Sequence, residues 1–286
     1  MAKLSKDEIH FFLLKLHSLT GIIPIGAFLV IHLSINSLRT VGVLPYQLSI
    51  DILNNIPFLI LIEIAFIYIP LFFHSLMGFY VVHIGQTNVF RYRYKRNWLY
   101  TLQRLTGAIT FVFLIYHMGT TVGAKLWEGK HHFEAAPFLM DILNGEFQTW
   151  QGIVIYTIGI FSATFHFSNG LWGFCVSWGI LIGQNAQRNG AIVFAAMGLG
   201  LTFLGLATIL EFNMNPIPVE ATVLRYIHDK SQEKNRDCWR RACGFGLSHE
   251  ILRKKWRSHR CILPSIKAFT LSLRTRWYQC SNRCKK

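Results

Sequence analysis

Apolar residues do not alternate with polar ones along this chain. They gather into five long runs separated by short polar stretches, near Leu19 to Leu38, Pro57 to Gly85, Thr101 to Ala124, Gln151 to Gly183 and Ala191 to Glu211. Each is long enough to cross the hydrocarbon layer of a bilayer, roughly 30 Å, as a helix. Closed barrels are the other way to satisfy backbone groups in lipid, and they need short alternating strands that this sequence lacks. The pattern therefore predicts an all-α membrane protein: a five-transmembrane-helix bundle over 1–212, followed by a C-terminal tail over 213–286. The fourth run exceeds one bilayer width, so it is expected to tilt or to project on one side.

Composition agrees. Of 286 residues 52% are hydrophobic and only 15% charged, and the mean hydropathy is +0.33, too apolar and too charge-poor for an ordinary soluble domain. The net charge of +15 is unevenly spread: residues through Phe212 carry 12 Lys and Arg against 9 Asp and Glu, whereas the tail carries 17 against 5. Five of the six cysteines (Cys238, Cys243, Cys261, Cys280, Cys284) also fall in the tail. Their spacing is not that of a zinc site, and the tail shows no sustained helical period, so it is expected to be disordered or atypical. Its charge suits anionic lipid headgroups or acidic partners; no nucleic-acid partner is expected. No cleavable signal peptide is expected ahead of the first run.

Orientation follows from basic residues in the short connections. Lys3, Lys6 and Lys15, then Arg91, Arg93, Lys95, Arg96 and Arg104, then Arg188 lie on one side; Arg39, Lys125 and Lys130 lie on the other. The richer side is cytoplasmic, which puts the N-terminus inside. Five spans leave the basic tail outside, against the trend, but long tails cross with little regard for charge.

The chemistry lies in four histidines, His32, His74, His117 and His166, each inside a different run. An imidazole in hydrocarbon is costly unless something uses it. Counted from the Arg39 end of the bundle, His32 lies 7 residues from Arg39 and His117 lies 8 from Lys125, while His74 lies 17 from Pro57 and His166 lies 16 from Trp150. At about 1.5 Å per residue the first two share a level roughly 10 to 12 Å below that boundary, and the second two share one about 14 Å deeper. Bundle cores build cofactor sites from facing helices, and two matched pairs of imidazoles suit two bis-histidine haems better than tetrahedral zinc. Without a Cys-x-x-Cys-His the haems are expected to be of b type. Small residues four positions from the ligands, Gly78, Gly170, Ser162 and Thr121, leave room for a flat macrocycle, and Pro70 is expected to kink the second helix or free a carbonyl. His83, His10, His131 and His132 sit near headgroups or in a solvated loop and are not expected to be ligands. Glu63 precedes His74 by 11 residues, about 20° apart on a regular helix, at the depth of the outer pair; it is a candidate for proton transfer beside a quinone.

The segments LHSLTGIIPIGAFLVIHL (Leu16 to Leu33), PLFFHSLMGFY (Pro70 to Tyr80), RNWLYTLQRLTGAITFVFLIYH (Arg96 to His117) and TFHFSNGLWGF (Thr164 to Phe174) resemble the di-haem cytochrome b membrane subunit of bacterial succinate:quinone oxidoreductases. The resemblance covers roughly Ile9 to Phe212. It implies a five-helix anchor in the bacterial cytoplasmic membrane, with an inner haem on His74 and His166, an outer haem on His32 and His117, and an iron-sulfur subunit with a flavoprotein subunit docked on the cytoplasmic face. Electrons from succinate are then expected to pass one at a time through the inner and outer haems to a quinone, usually menaquinone, or to run in reverse toward fumarate. His17, Ser18 and Arg104 are available on the cytoplasmic side as partners for haem propionates. Two other readings remain at this point: the cytochrome b subunit of another quinone-linked enzyme, such as a hydrogenase or formate dehydrogenase, and a haem-free anchor or transporter. The latter would be expected to carry inverted repeats, and none is found.

Overall fold

A computed structural model describes residues 5–127 and 141–216, and the tail 217–286 and the loop holding His131 and His132 lie outside them. Among the described residues all regular structure is helical. Ser5 opens α1 (Lys6–Ile22) with a capping box, its hydroxyl accepting from the Glu8 amide at 3.2 Å while the Glu8 carboxylate accepts from the Ser5 amide at 2.8 Å. This cap starts the helix well ahead of the first apolar run, because two orphan amides are satisfied there at little cost. Pro24 then stands first in α2 (Pro24–Ser37), and Ile23 between the two helices keeps helical dihedrals. The missing proline N–H interrupts the ladder without turning the chain, so Lys6–Thr40 runs as one 35-residue segment.

After a connecting helix α3 (Val43–Asn54), the second span is built in three pieces: α4 (Leu59–Glu63), a π-helical turn over Ile64–Tyr68, and α5 (Ile69–Ile84). Pro70 lies at the start of α5. Having no N–H to give the preceding turn, it leaves that turn free to widen, and the predicted kink takes the form of a π-turn. The third span is α6 (Lys95–Met118), with a second π-turn over Gly119–Gly123 and a short α7 (Ala124–Trp127). A helix α8 through 141–147 leads into α9 (Trp150–Ser177), and α10 (Gln184–Met214) closes the bundle.

Lys6–Thr40, Leu59–Ile84, Lys95–Gly123 and Gln184–Met214 are long and apolar enough to cross a membrane. The remaining predicted span, α9, has 28 residues, about 42 Å at 1.5 Å per residue, and it is the central helix. It packs on α10, α6 and α1, and its buried positions are mostly small or hydroxylic: Gly152, Gly159, Ser162, Thr164 and Ser168. A Cβ on Gly198 of α10 would stand 2.4 Å from Ser168 Oγ, and one on Gly205 would stand 2.7 Å from Ile160. Between those contacts the hydroxyls of Thr164 and Thr202 bond at 2.6 Å. Small residues and paired hydroxyls are what bring helices together where lipid offers no hydrophobic drive. α9 stops at Ser177 rather than near Gly183, since Gly179 (φ 74°) and Gly183 (φ 84°) take the left-handed backbone that turns the chain into α10.

Aromatic packing closes the Arg39 end. Tyr46 of α3, Phe147, Tyr156 of α9, and Ile209 and Phe212 of α10 form one buried cluster. Beside it Arg39, 3% exposed, pairs with Glu211 at 3.0 Å, lies over the Phe212 ring and donates to the Asn215 carbonyl.

Candidate functional site

The deeper histidines meet across the bundle. His74 of α5 and His166 of α9 face each other with ring centroids 6.1 Å apart and planes at 86°. His74 Nδ1 lies 2.9 Å from the His17 carbonyl oxygen on α1, and His166 Nδ1 lies 2.9 Å from the Gln103 carbonyl oxygen on α6. A carbonyl only accepts, so in each ring Nδ1 carries the proton and Nε2 keeps its lone pair. Both rings rest on a glycine: a Cβ on Gly21 would stand 2.4 Å from His74 Cε1, and one on Gly107 would stand 2.8 Å from His166 Cε1. The arrangement is the same twice over. Each accepting residue is followed four positions later by a glycine on the same helical face, so the carbonyl that orients the ring and the gap that admits it are one turn apart. Gln103 fixes the second copy further, donating from Nε2 to the His166 carbonyl at 2.9 Å and accepting from Asn169 at 2.8 Å.

Nearer Arg39, His32 of α2 and His117 of α6 face each other with centroids 5.9 Å apart and planes at 73°. Here the orienting group is a side chain, since His117 Nδ1 lies 3.1 Å from Tyr156 Oη. The His117 ring also stacks on Phe113 at 5.6 Å, and Phe113 is seated where Gly159 of α9 has no side chain. His32 packs on Phe28. Its carbonyl accepts from Asn36 at 2.8 Å, and Tyr46 donates to Asn36 Oδ1 at 3.4 Å. Tyr116, next to His117, donates to the Glu146 carboxylate.

Each pair suits a metal ion clamped from two sides. Two metal–nitrogen bonds of about 2 Å with the half-widths of two imidazoles span about 6 Å between ring centres, which is the spacing found. Among the described residues no three or more His, Cys, Asp or Glu side chains gather at one point, so the donor set is two imidazoles per site, which fits an ion whose other ligands come from a macrocycle. The surroundings of the deeper pair fit the acidic edge of such a group as well: His17 Nδ1 and Arg104 Nη1 are buried without a hydrogen-bond partner. The His17 ring stacks on His74 at 4.1 Å, and Arg104 lies over Tyr100 at 4.0 Å while donating to the Val81 carbonyl at 3.2 Å. Ser18 is already engaged, donating to the Lys15 carbonyl at 2.9 Å and accepting from Trp178 at 3.2 Å.

The other expected positions divide. A Cβ on Gly78 would stand 3.7 Å from His17 Cε1 and one on Gly170 would stand 3.1 Å from Gln103 Nε2, so both glycines make room for the residues behind His74 and His166. Thr121 turns back onto the His117 carbonyl, and Ser162 is buried. Glu63 is half-buried at the end of α4. The π-turn between it and His74 takes an extra residue into one turn and swings Glu63 by about 100° from the position a regular helix would give it. His83 is exposed, and His10 reaches Tyr80 at 3.4 Å. Reading the residues alone missed Gly21, Gly107, Gln103 and Tyr156. For the first three the sequence holds only a glycine four positions after His17 and another four after Gln103, a spacing that does not say whose carbonyl accepts.

No protein-family model matches the chain. The succinate dehydrogenase cytochrome b558 subunit of Bacillus subtilis (strain 168) is 35% identical over 202 residues, a stretch that takes in 71% of this chain and 96% of that protein.

Proposed function

Because this chain belongs to the family of succinate dehydrogenase cytochrome b subunits, we propose that it is the membrane anchor through which such a complex exchanges electrons with quinone, holding two b haems, the inner on His74 and His166 and the outer on His32 and His117. Bound there, the haems supply one-electron transfer between an iron-sulfur subunit and a membrane quinone, menaquinone by the resemblance, in either direction. The residues do the positioning. Backbone carbonyls of His17 and Gln103 hold the inner imidazoles through Nδ1, which leaves Nε2 for the metal, and Tyr156 holds His117 through the same ring atom. Ligating histidines gain basicity when the other ring nitrogen donates in this way. His17 and Arg104 take the propionates of the inner haem, and Glu63, off the ligand face but at the depth of the outer pair, exchanges protons with quinone. Basic residues put the N-terminal end in the cytoplasm, where the iron-sulfur and flavoprotein subunits dock, in the bacterial inner membrane. Family membership displaces the hydrogenase, formate dehydrogenase and haem-free readings.

The observation that carries the proposal is the pair of opposed imidazole couples 6.1 and 5.9 Å apart. A dithionite-reduced minus oxidised spectrum of membranes containing the chain is expected to show low-spin b-type bands at two haems per chain. Replacing His74 or His166 removes one centre, and replacing His32 or His117 removes the other. A chain without haem, or one from which all four replacements remove the same centre, overturns the assignment. Co-purification of a flavoprotein with succinate dehydrogenase activity tests the partners.

A further inference from the structure

Three ring nitrogens in the two sites have a clear orienting partner, and they are not alike. His74 and His166 bond to main-chain carbonyls, which no substitution removes. His117 bonds to a phenol. Tyr156 is 4% exposed, and its ring is boxed by Phe147 at 4.8 Å, Phe113 at 5.3 Å and Tyr116 at 6.3 Å, each edge-on. The phenol therefore cannot swing away from the imidazole. Thr120 sits in the π-turn that begins two residues after His117 and donates back to the Tyr116 carbonyl at 3.1 Å. π-Turns of this kind recur at functional positions because they re-aim one residue without ending the helix.

We propose that Tyr156 is a positioning residue for the outer centre, accepting the Nδ1 proton of His117 and thereby setting that centre's reduction potential independently of the inner one. The inference rests on the two-haem reading. With Nε2 on iron, Nδ1 must donate, and the phenol oxygen is where the proton points. Donation to an acceptor makes the imidazole a better electron donor and favours ferric iron. Removing the acceptor favours ferrous iron, and only at this site.

The test is Tyr156→Phe, which keeps the ring in its aromatic box, read by potentiometric titration of the whole complex in membranes and by electron paramagnetic resonance of the ferric signals. The outer signal is defined as the one His117→Ala abolishes. In Tyr156→Phe the ferric-to-ferrous ratio of the outer centre at a fixed ambient potential is expected to fall, on the order of tenfold, with the inner centre unchanged. Loss of the outer haem alone also supports the role, because the phenol then holds the ligand as well as tuning it. An outer ratio equal to that of the parent protein, equal shifts in both centres, or loss of both haems together overturns it. A parent protein lacking two haems would instead overturn the reading on which the inference stands.

Discussion

Glycines 21 and 107 act by having no side chain. An added methyl on either would stand within 3 Å of an imidazole carbon, and that imidazole is tied through Nδ1 to a carbonyl one turn away on the glycine's own helix, so backing away from the methyl would break that bond. Overpacking of this kind costs about 1–3 kcal/mol, and here it falls on a proposed ligand. Gly107→Ala is expected to weaken or abolish the inner haem while sparing the outer, measured as haem stoichiometry and a two-component redox titration. Gly119→Ala, where nothing lies within 4 Å of the added atom, is the matched control and should change neither. Arg104→Gln removes the cation but keeps a hydrogen-bonding head. It should perturb the inner centre alone, seen as a shifted midpoint with unaltered haem content. At this scale the four histidines were legible because an imidazole in an apolar run stands out. Their supports were not, because a backbone carbonyl has no letter of its own and Tyr156 reads as one more aromatic in a greasy helix.

Helices were easier to foresee than their interruptions. Apolar length located five long helices, four of them long and apolar enough to cross a membrane, but it could not tell that α9 would be the buried one, since small residues raise the capacity to pack. Nor could it place the π-turns at Ile64–Tyr68 and Gly119–Gly123, which depend on how neighbouring carbonyls find donors. α3 was missed because 12 residues are too few to span, yet its Tyr46 belongs to the cluster that closes the Arg39 end. That end is also latched by Arg39 and Glu211, which tie the last turn of the first span to the last turn of α10. With both side chains largely shielded from water, removing one partner strands a buried charge, which costs about 3–5 kcal/mol, whereas removing both is far milder. Glu211→Gln is therefore expected to lower the temperature at which the detergent-solubilised protein loses its haem absorbance. Arg39→Met combined with Glu211→Leu should recover most of that loss. A double replacement as damaging as the single one would show that the ion pair itself, rather than the stranded charge, stabilises the bundle.

For the whole molecule, the charge arithmetic and the fold make a joint statement about which way the bundle faces. The ends of the helices segregate by structure: Ser177 and Trp178 meet Lys15 and Ser18 at one end, and Arg39 meets Glu211 at the other. The basic residues of the short connections crowd the first end, which is why that end is the proposed cytoplasmic one. A stop after residue 216 gives a chain from which five of six cysteines are gone, leaving Cys175, buried at 7% exposure, and every residue assigned to the two centres is kept. This shortened chain is expected to retain both haems, because the site is built wholly from α1 to α10. It is also nearly silent toward thiol reagents, so a single new cysteine reports sidedness. Thr87→Cys, in the connection after α5, and Asn54→Cys, at the end of α3, are both exposed and lie at opposite ends. In intact spheroplasts a membrane-impermeant maleimide should label Asn54→Cys and spare Thr87→Cys, with the order reversed in inverted vesicles. Labelling in the opposite sense would place the His74–His166 pair on the far side from the proposed docking face, and electron entry would then have to begin at His32 and His117.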